Sequence, residues 1–352
     1  MENYTNQSYQ ESYEEANTEV KYVQVVILSV LSVLIITGNV LILTALRKVK
    51  KFQKTTKLFI FSLSIADLFV GAILIPLRLN EVFLTTWSQT VEWCKLSISV
   101  NIWNLSASSF NLLALSIEKL IFLAKPMEYD NIVTFKRCAI ILLALWCFFT
   151  SVSFIPIFSE IALQDAAIRH AHDHLCKYAT TLKDEYLIYM CVCDVIPLVL
   201  FGVIYFCILK TAQQQIHKAQ ARFSKSAVNE EFKHLKKTEK KNTRLLVSLV
   251  VVYYVCWIPA IVAEYLSIRH AYLVTQTFIF VISALVYLNS FLNSIVYYFF
   301  NDEFRKFFKR YVRNIKIGTR RRMSGDFLSR PPTSTHGFNM SRIAMTTIKK
   351  AS

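Results

Sequence analysis

The chain has 352 residues, of which 54% are hydrophobic and only 18% charged, with a mean hydropathy of +0.38. That is more apolar material than a soluble domain carries. Lys and Arg number 40 against 24 Asp and Glu, a net charge of +16. The basic runs Arg47 to Lys57, Lys233 to Arg244 and Arg305 to Arg322 all abut apolar segments, which assigns them to anionic lipid and cytoplasmic partners rather than to nucleic acid.

Residues 1–21 are polar and acidic and lack the apolar core of a cleavable leader, so the first apolar run is expected to direct insertion itself. Asn3-Tyr4-Thr5 and Asn6-Gln7-Ser8 in this segment are glycan acceptor triplets at Asn3 and Asn6. Low-charge runs follow at 22–46, 58–80, 96–124, 138–158, 186–209, 245–268 and 271–300. Each is near or above the ~20 residues that cross a bilayer as a helix. A backbone in hydrocarbon must satisfy its own polar groups, so the expected fold is an all-α membrane protein, a seven-transmembrane helix bundle over 22–300. With residues 1–21 extracellular, seven Lys and Arg fall outside (Lys21, Arg78, Lys95, Arg169, Lys177, Lys183 and Arg269) and 33 inside. That asymmetry predicts a multi-pass plasma-membrane protein with its amino end outside and its carboxyl end in the cytoplasm.

Ionisable and polar groups inside such spans mark functional positions. Asp67 is mid-span in the second run. Asn101, Asn104, Ser108 and Asn111 form a stripe on the third at helical spacing, and Asn289, Ser290 and Asn293 lie on the seventh. These oxygens either hold a small hard cation such as Na+ beside Asp67 or form a network that only fixes helix packing. Arg78, Asp194 and Glu264 either line a ligand cavity or rest at the interface and in neutral hydrogen bonds. Pro76, Pro156, Pro197 and Pro259 interrupt spans and give the bundle places to bend, with Trp257 two residues before one of them.

Of the eight cysteines, only Cys94 and Cys176 map to the outer side, where the compartment is oxidising; they are expected to be paired. His170, His172 and His174 precede Cys176 at alternate positions, and are either a zinc or copper site at the ligand entrance or a solvated loop. Past the last span, residues 301–313 carry Phe304, Phe307, Phe308 and Tyr311 on one face, the pattern of an amphipathic interfacial helix. The tail, 314–352, is basic, rich in Ser and Thr, and expected to be disordered; Arg321-Arg322-Met323-Ser324 would suit a kinase.

An intramembrane enzyme would need a nucleophile and base or a metal cluster within the spans, and none of the seven histidines lies in one. A transporter of duplicated halves would show internal repeats, and none is evident. A retinal-binding pigment needs a lysine in the seventh span; that run carries Tyr287 and no Lys between Ala271 and Phe300.

Across about 22 to 312 the chain resembles the rhodopsin-like G protein-coupled receptors. The resemblance is carried by Gly38-Asn39-Val40, Leu63 to Asp67, Cys94, Glu118, Trp146, Pro197, Tyr205, Cys256-Trp257-Ile258-Pro259, Asn289-Ser290 and Asn293 to Tyr297. Ala66 to Gly71 with Pro76, Lys125 to Tyr129 and Glu239-Lys240-Lys241 are most similar to the biogenic-amine branch. The resemblance implies a small extracellular ligand contacting Asn101, Leu105, Tyr189, Cys193, Trp257, Ile261, Glu264 and Tyr287. It also implies a heterotrimeric G protein on the inner face, with kinase and arrestin at the tail. Glu118, Lys119, Tyr205, Glu239 and Tyr297 would form the activation machinery, and Asp67, Ser108, Asn289, Ser290 and Asn293 the sodium or polar network.

The departures are informative. Asn101 stands where amine receptors carry the aspartate that pairs with the ligand's ammonium, and Lys119 stands where the family has arginine. Lysine keeps the charge without the planar fork, so pairing with Glu118 or Glu239 survives while transducer contact is expected to weaken. Ser294 replaces a proline, and Ser109 and Tyr253 replace an aliphatic residue and a phenylalanine beside Pro197, changes expected to soften the barrier between resting and active shapes. The alternative is a receptor-like binding or accessory protein with little coupling.

Overall fold

The computed structural model describes residues 2–49, 53–83, 91–155, 183–222, 245, 247–263, 265–266 and 275–323, with the side chains at several helix ends left out. The chain divides into two compact units, 1–308 and 309–352. The first contains the bundle. The second is helical up to Met323.

Helix α1 is Glu2–Lys48. Helix α2 is Lys54–Phe69, continuing through a π-helical turn, Val70–Leu74, into Ile75–Phe83. Helix α3 is Val91–Ala124, followed by one turn of helix at Tyr129–Ile132; α4 is Phe135–Ser153 and α5 is Asp184–Arg222. Helix α6 is Val247–Ala263, α7 is Gln276–Phe300 and α8 is Asp302–Met323. Six of these helices are long and apolar enough to cross a membrane, and α6 is a shorter apolar helix of the same character. Each of the seven expected spans thus overlaps a helix among the described residues, and α1, α3 and α5 begin or end beyond the apolar runs. The amphipathic helix begins one residue later than its expected start at 301 and continues ten residues past its expected end at 313. Hydropathy marks hydrocarbon thickness, whereas a helix continues until a cap or breaker stops it.

The surface is inverted relative to a soluble protein. Val33, Leu143 and Phe206 are 62%, 66% and 65% exposed on outward faces, which suits them only to lipid. The polar residues Asn39, Asp67, Ser99 and Asn104 are at most 1% exposed and face inward.

Capping residues set several helix starts. Thr134 and Thr275 accept the backbone N–H of Arg137 and Phe278, and Asn301 accepts those of Glu303 and Phe304 to begin α8. Phe304 is fully buried, its ring 5.7 Å from Tyr297, and Phe308 lies 5.6 Å from Tyr298, so the apolar face of α8 packs under α7. Lys48, at the end of α1, sits 5.9 Å over the Phe307 ring. Tyr311, expected on the same face, is 38% exposed.

Small residues let the helices approach. A Cβ at Gly38 would lie 2.9 Å from Ser294 Oγ, and the Asn39 amide donates to the Ser290 carbonyl at 3.3 Å, which ties α1 to α7. Ser32 donates to the carbonyl of Gly71 at 2.7 Å, within the π turn of α2. A π turn inserts an extra residue into the repeat and so re-aims every side chain beyond it, here Arg78 and Glu81.

Candidate functional site

Three layers of the bundle carry the functional side chains. In the middle layer Asp67 is 0% exposed, a position that is tolerable only with hydrogen-bond partners. Ser108 donates to one carboxylate oxygen at 3.2 Å and the Asn293 amide to the other at 3.1 Å. Ser290 is buried on the same helix as Asn293. Helices α2, α3 and α7 therefore meet at one acid, as the sequence pattern implies. Asn289 is buried nearby on α7, but its carbonyl oxygen has no hydrogen-bond partner among the described residues, nor do those of Asn104, Asn111 and Asn293.

On one side of this layer, Asn101 is 8% exposed on α3, and Leu105 follows one turn closer to the middle. Trp257 on α6 is 3% exposed and its ring stacks on Tyr253 at 5.3 Å; Tyr253 in turn lies 4.6 Å from Phe201 on α5 and donates to Ser109 on α3 at 3.2 Å. Leu105 packs against the large apolar core that contains these three rings. Tyr287 on α7 does not join it. It is 2% exposed among Leu31, Ile35, Val70, Leu74 and Val100, between α1, α2 and α3. Ile261 is partly buried on α6. The side chains of Tyr189, Cys193 and Cys94, and Glu264 and Cys176 altogether, lie outside the described residues, as do His170, His172, His174 and Glu239 and the side chains of Asn3 and Asn6. Among the described residues no group of three metal-ligating side chains occurs.

On the same side, near the end of α2, Arg78 pairs with Glu81 through Nη1, and Ser97 of α3 donates to the same carboxylate. Glu81, one turn later, is the residue that sequence reading missed, although the i, i+3 spacing was there to be seen.

On the other side of the middle layer, Glu118 is 2% exposed and receives three donors. Thr56 of α2 donates to its Oε1 at 2.8 Å, Tyr129 donates to the same oxygen, and the Lys119 ammonium lies 2.9 Å from Oε2. Lys119 also donates to Thr56 Oγ1 at 2.8 Å and sits 5.9 Å over the Phe122 ring. Thr55 lies 3.0 Å from the Tyr129 hydroxyl. Burial, first, and the neighbouring carboxylate hold that phenol well above its ordinary pKa, so it stays a donor. The expected pairing of Lys119 with Glu118 is present, and Thr56 and Tyr129 complete it. Tyr205 is partly buried on α5, and Tyr297 is 1% exposed on α7.

Residues 38–297 match the family described as 7 transmembrane receptor (rhodopsin family). The histamine H2 receptor of Cavia porcellus is 27% identical over 282 residues, covering 80% of this chain and 76% of that protein. Dopamine receptor 1 of Drosophila melanogaster is 27% identical over 317 residues, 81% of this chain and 61% of its own length. Melatonin receptor type 1C of Xenopus laevis is 28% identical over 318 residues, 88% and 71% respectively. With the match spanning all the layers just described, the chain belongs to the rhodopsin family of seven-transmembrane receptors, and is a multi-pass G protein-coupled receptor rather than an enzyme.

Proposed function

We propose that this receptor lies in the plasma membrane with its amino end outside and binds a small extracellular ligand between α3, α5, α6 and α7. It passes a movement of α6 to a heterotrimeric G protein. The observation that carries this reading is the unbroken chain Trp257, Tyr253, Ser109. A ring at the floor of the ligand region stacks on a second ring whose hydroxyl is bonded to α3. Pro259 lies two residues beyond Trp257 and frees a carbonyl, so α6 has a place to bend. Pressure on Trp257 is thereby a force on the bond that holds α6 to α3.

In this reading Asn101, Leu105, Tyr189, Cys193, Trp257, Ile261, Glu264 and Tyr287 face the ligand. Cys94 and Cys176 form an outer disulfide, and Asn3 and Asn6 carry glycans. A sodium ion held by Asp67, Ser108, Asn289, Ser290 and Asn293 favours the resting shape. Glu118, Lys119, Tyr205, Glu239 and Tyr297 form the inner switch, and kinase and arrestin act at the tail. Lys119, drawn back onto Glu118 and Thr56, supports a resting arrangement. The same residue supports the second reading, a binding or accessory protein that couples weakly, because an ammonium lacks the guanidinium fork. Nucleotide exchange on purified heterotrimers, driven by membranes holding the chain, separates the two readings. Exchange above mock membranes supports the receptor, and its absence in the presence of a bound ligand supports the accessory protein.

A further inference from the structure

Tyr253 and Tyr254 are neighbours on α6 and tie it to two different helices. Tyr253 donates to Ser109 of α3 at 3.2 Å, and Tyr254 donates to the backbone carbonyl of Leu198 on α5 at 2.7 Å. A carbonyl oxygen has two lone pairs, so the α5 backbone can take the phenol without giving up a helical bond of its own. The approach depends on Gly202, one turn beyond Leu198, because a Cβ there would lie 3.0 Å from the Tyr254 hydroxyl oxygen. Tyr254 meets Leu198 while the Tyr253 ring lies 4.6 Å from Phe201, so α5 and α6 run antiparallel across this contact. Each helix carries a proline near it. Pro197 precedes Leu198 inside α5, and Pro259 follows Tyr254 on α6.

The two ties differ in the motion they permit. An O–H···O bond is best at about 2.7–2.8 Å and weakens beyond about 3.0 Å. The Tyr254 bond lies at that optimum and the Tyr253 bond lies past it. Ser109 offers a hydroxyl that can turn to follow its partner, whereas the Leu198 carbonyl is fixed in the α5 helix and cannot. A swing of α6 against α5 at Pro259 therefore has to break the Tyr254 bond. We propose that Tyr254 is a positioning residue for signalling, a latch that holds α6 on α5 in the resting shape, with Gly202 as the seat that admits it. The proposal rests on the reading of the chain as a receptor that signals by a movement of α6. A bond made in one shape and lost in the other moves the balance between them by its full net worth.

The test uses the full chain in cell membranes, with basal nucleotide exchange on heterotrimers as the readout and surface labelling to normalise expression. Tyr254→Phe keeps the ring and removes the bond. Exchange per receptor is expected to rise about two- to tenfold, and at least as far as in Tyr253→Phe. Gly202→Ala, which crowds the phenol oxygen, is expected to raise exchange in the unaltered chain and to add nothing in Tyr254→Phe, where that oxygen is gone. Lost packing lowers exchange and does not make the effect of one substitution depend on the other in this way. The same set is made in the Lys119→Arg background, so that a low basal rate does not hide a rise. Exchange in Tyr254→Phe that is unchanged or lower in both backgrounds would overturn the proposal, because α5 then follows α6 and the bond survives the movement. So would an effect of Gly202→Ala that is the same with and without the phenol oxygen. Either result, with exchange above mock membranes, leaves the receptor reading intact. Silence of every variant in both backgrounds, with all of them at the cell surface, overturns both.

Discussion

The hydroxyl of Tyr253 on α6 donates to Ser109 on α3 at 3.2 Å, and Ser109 donates onward to the carbonyl of Leu105 at 2.9 Å. The serine is thus satisfied from both sides, and removing the phenol oxygen leaves it bonded to its own helix. Tyr253→Phe is therefore a clean deletion of one tie between α3 and α6. A neutral hydrogen bond is worth about 0.5–1.5 kcal/mol net, so the balance between resting and active shapes is expected to shift by roughly two- to tenfold towards the active one. Basal nucleotide exchange should rise accordingly, with no loss of surface expression. An unchanged or lower basal rate would show that the bond does not hold the resting state.

Thr56 is 4% exposed and bonds both Glu118 and Lys119. Thr56→Val keeps its shape and removes both bonds, while Glu118 retains Tyr129 and Lys119. The detergent-solubilised protein is expected to lose about 1–2 kcal/mol of stability, and its Lys119 to be freer to meet a transducer. Thermal unfolding followed by a thiol-reactive dye, read beside exchange rates, should show a lower Tm together with a higher basal rate. A fall in both would place Thr56 in packing alone.

Asp67→Asn preserves the size of the side chain and removes its charge. If a cation sits beside Asp67 in the resting shape, replacing choline chloride by sodium chloride lowers basal exchange in the unaltered chain and leaves the variant unaffected. Equal sodium sensitivity in both would leave the Ser108 and Asn293 bonds as helix packing only.

Gly71→Ala tests the approach of α1 to the π turn of α2. The added Cβ would lie 2.9 Å from Ile36 Cγ1, 3.1 Å from Ile35 Cγ2 and 3.2 Å from the backbone oxygen of Ser32. Isoleucine tips can shift but a helical carbonyl cannot, so a cost of about 1–3 kcal/mol is expected, seen as a Tm lowered by several degrees. An unchanged Tm would mean that α1 moves freely relative to α2.

The bundle was legible because hydrocarbon imposes one rule on every span, and a run such as 58–80 obeys it whatever its partners are. The convergence on Asp67 was legible for the same reason, since polar groups at helical spacing on three spans have nowhere to face but inward. The Arg78–Glu81 pair was not foreseen. Its placement depends on the π turn at Val70–Leu74, which leaves no mark in hydropathy, and on Ser97 arriving from another helix. Thr56 and Tyr129 were missed as functional groups because a threonine at a helix start and a tyrosine in a loop look ordinary until Glu118 brings them together. Tyr287 is grouped with the ligand contacts by resemblance alone, and its packing against residues of α1, α2 and α3 left no mark in the sequence.

The most direct test of the central claim is guanine-nucleotide exchange on representatives of each heterotrimer class, driven by membranes holding the unaltered chain or its Lys119→Arg variant. Restoring the planar fork should strengthen contact with the transducer. The account predicts exchange above mock membranes for the unaltered chain on at least one class, and a further several-fold increase for the variant on that same class. Exchange indistinguishable from mock membranes for both proteins on every class, with both present at the cell surface, would contradict it.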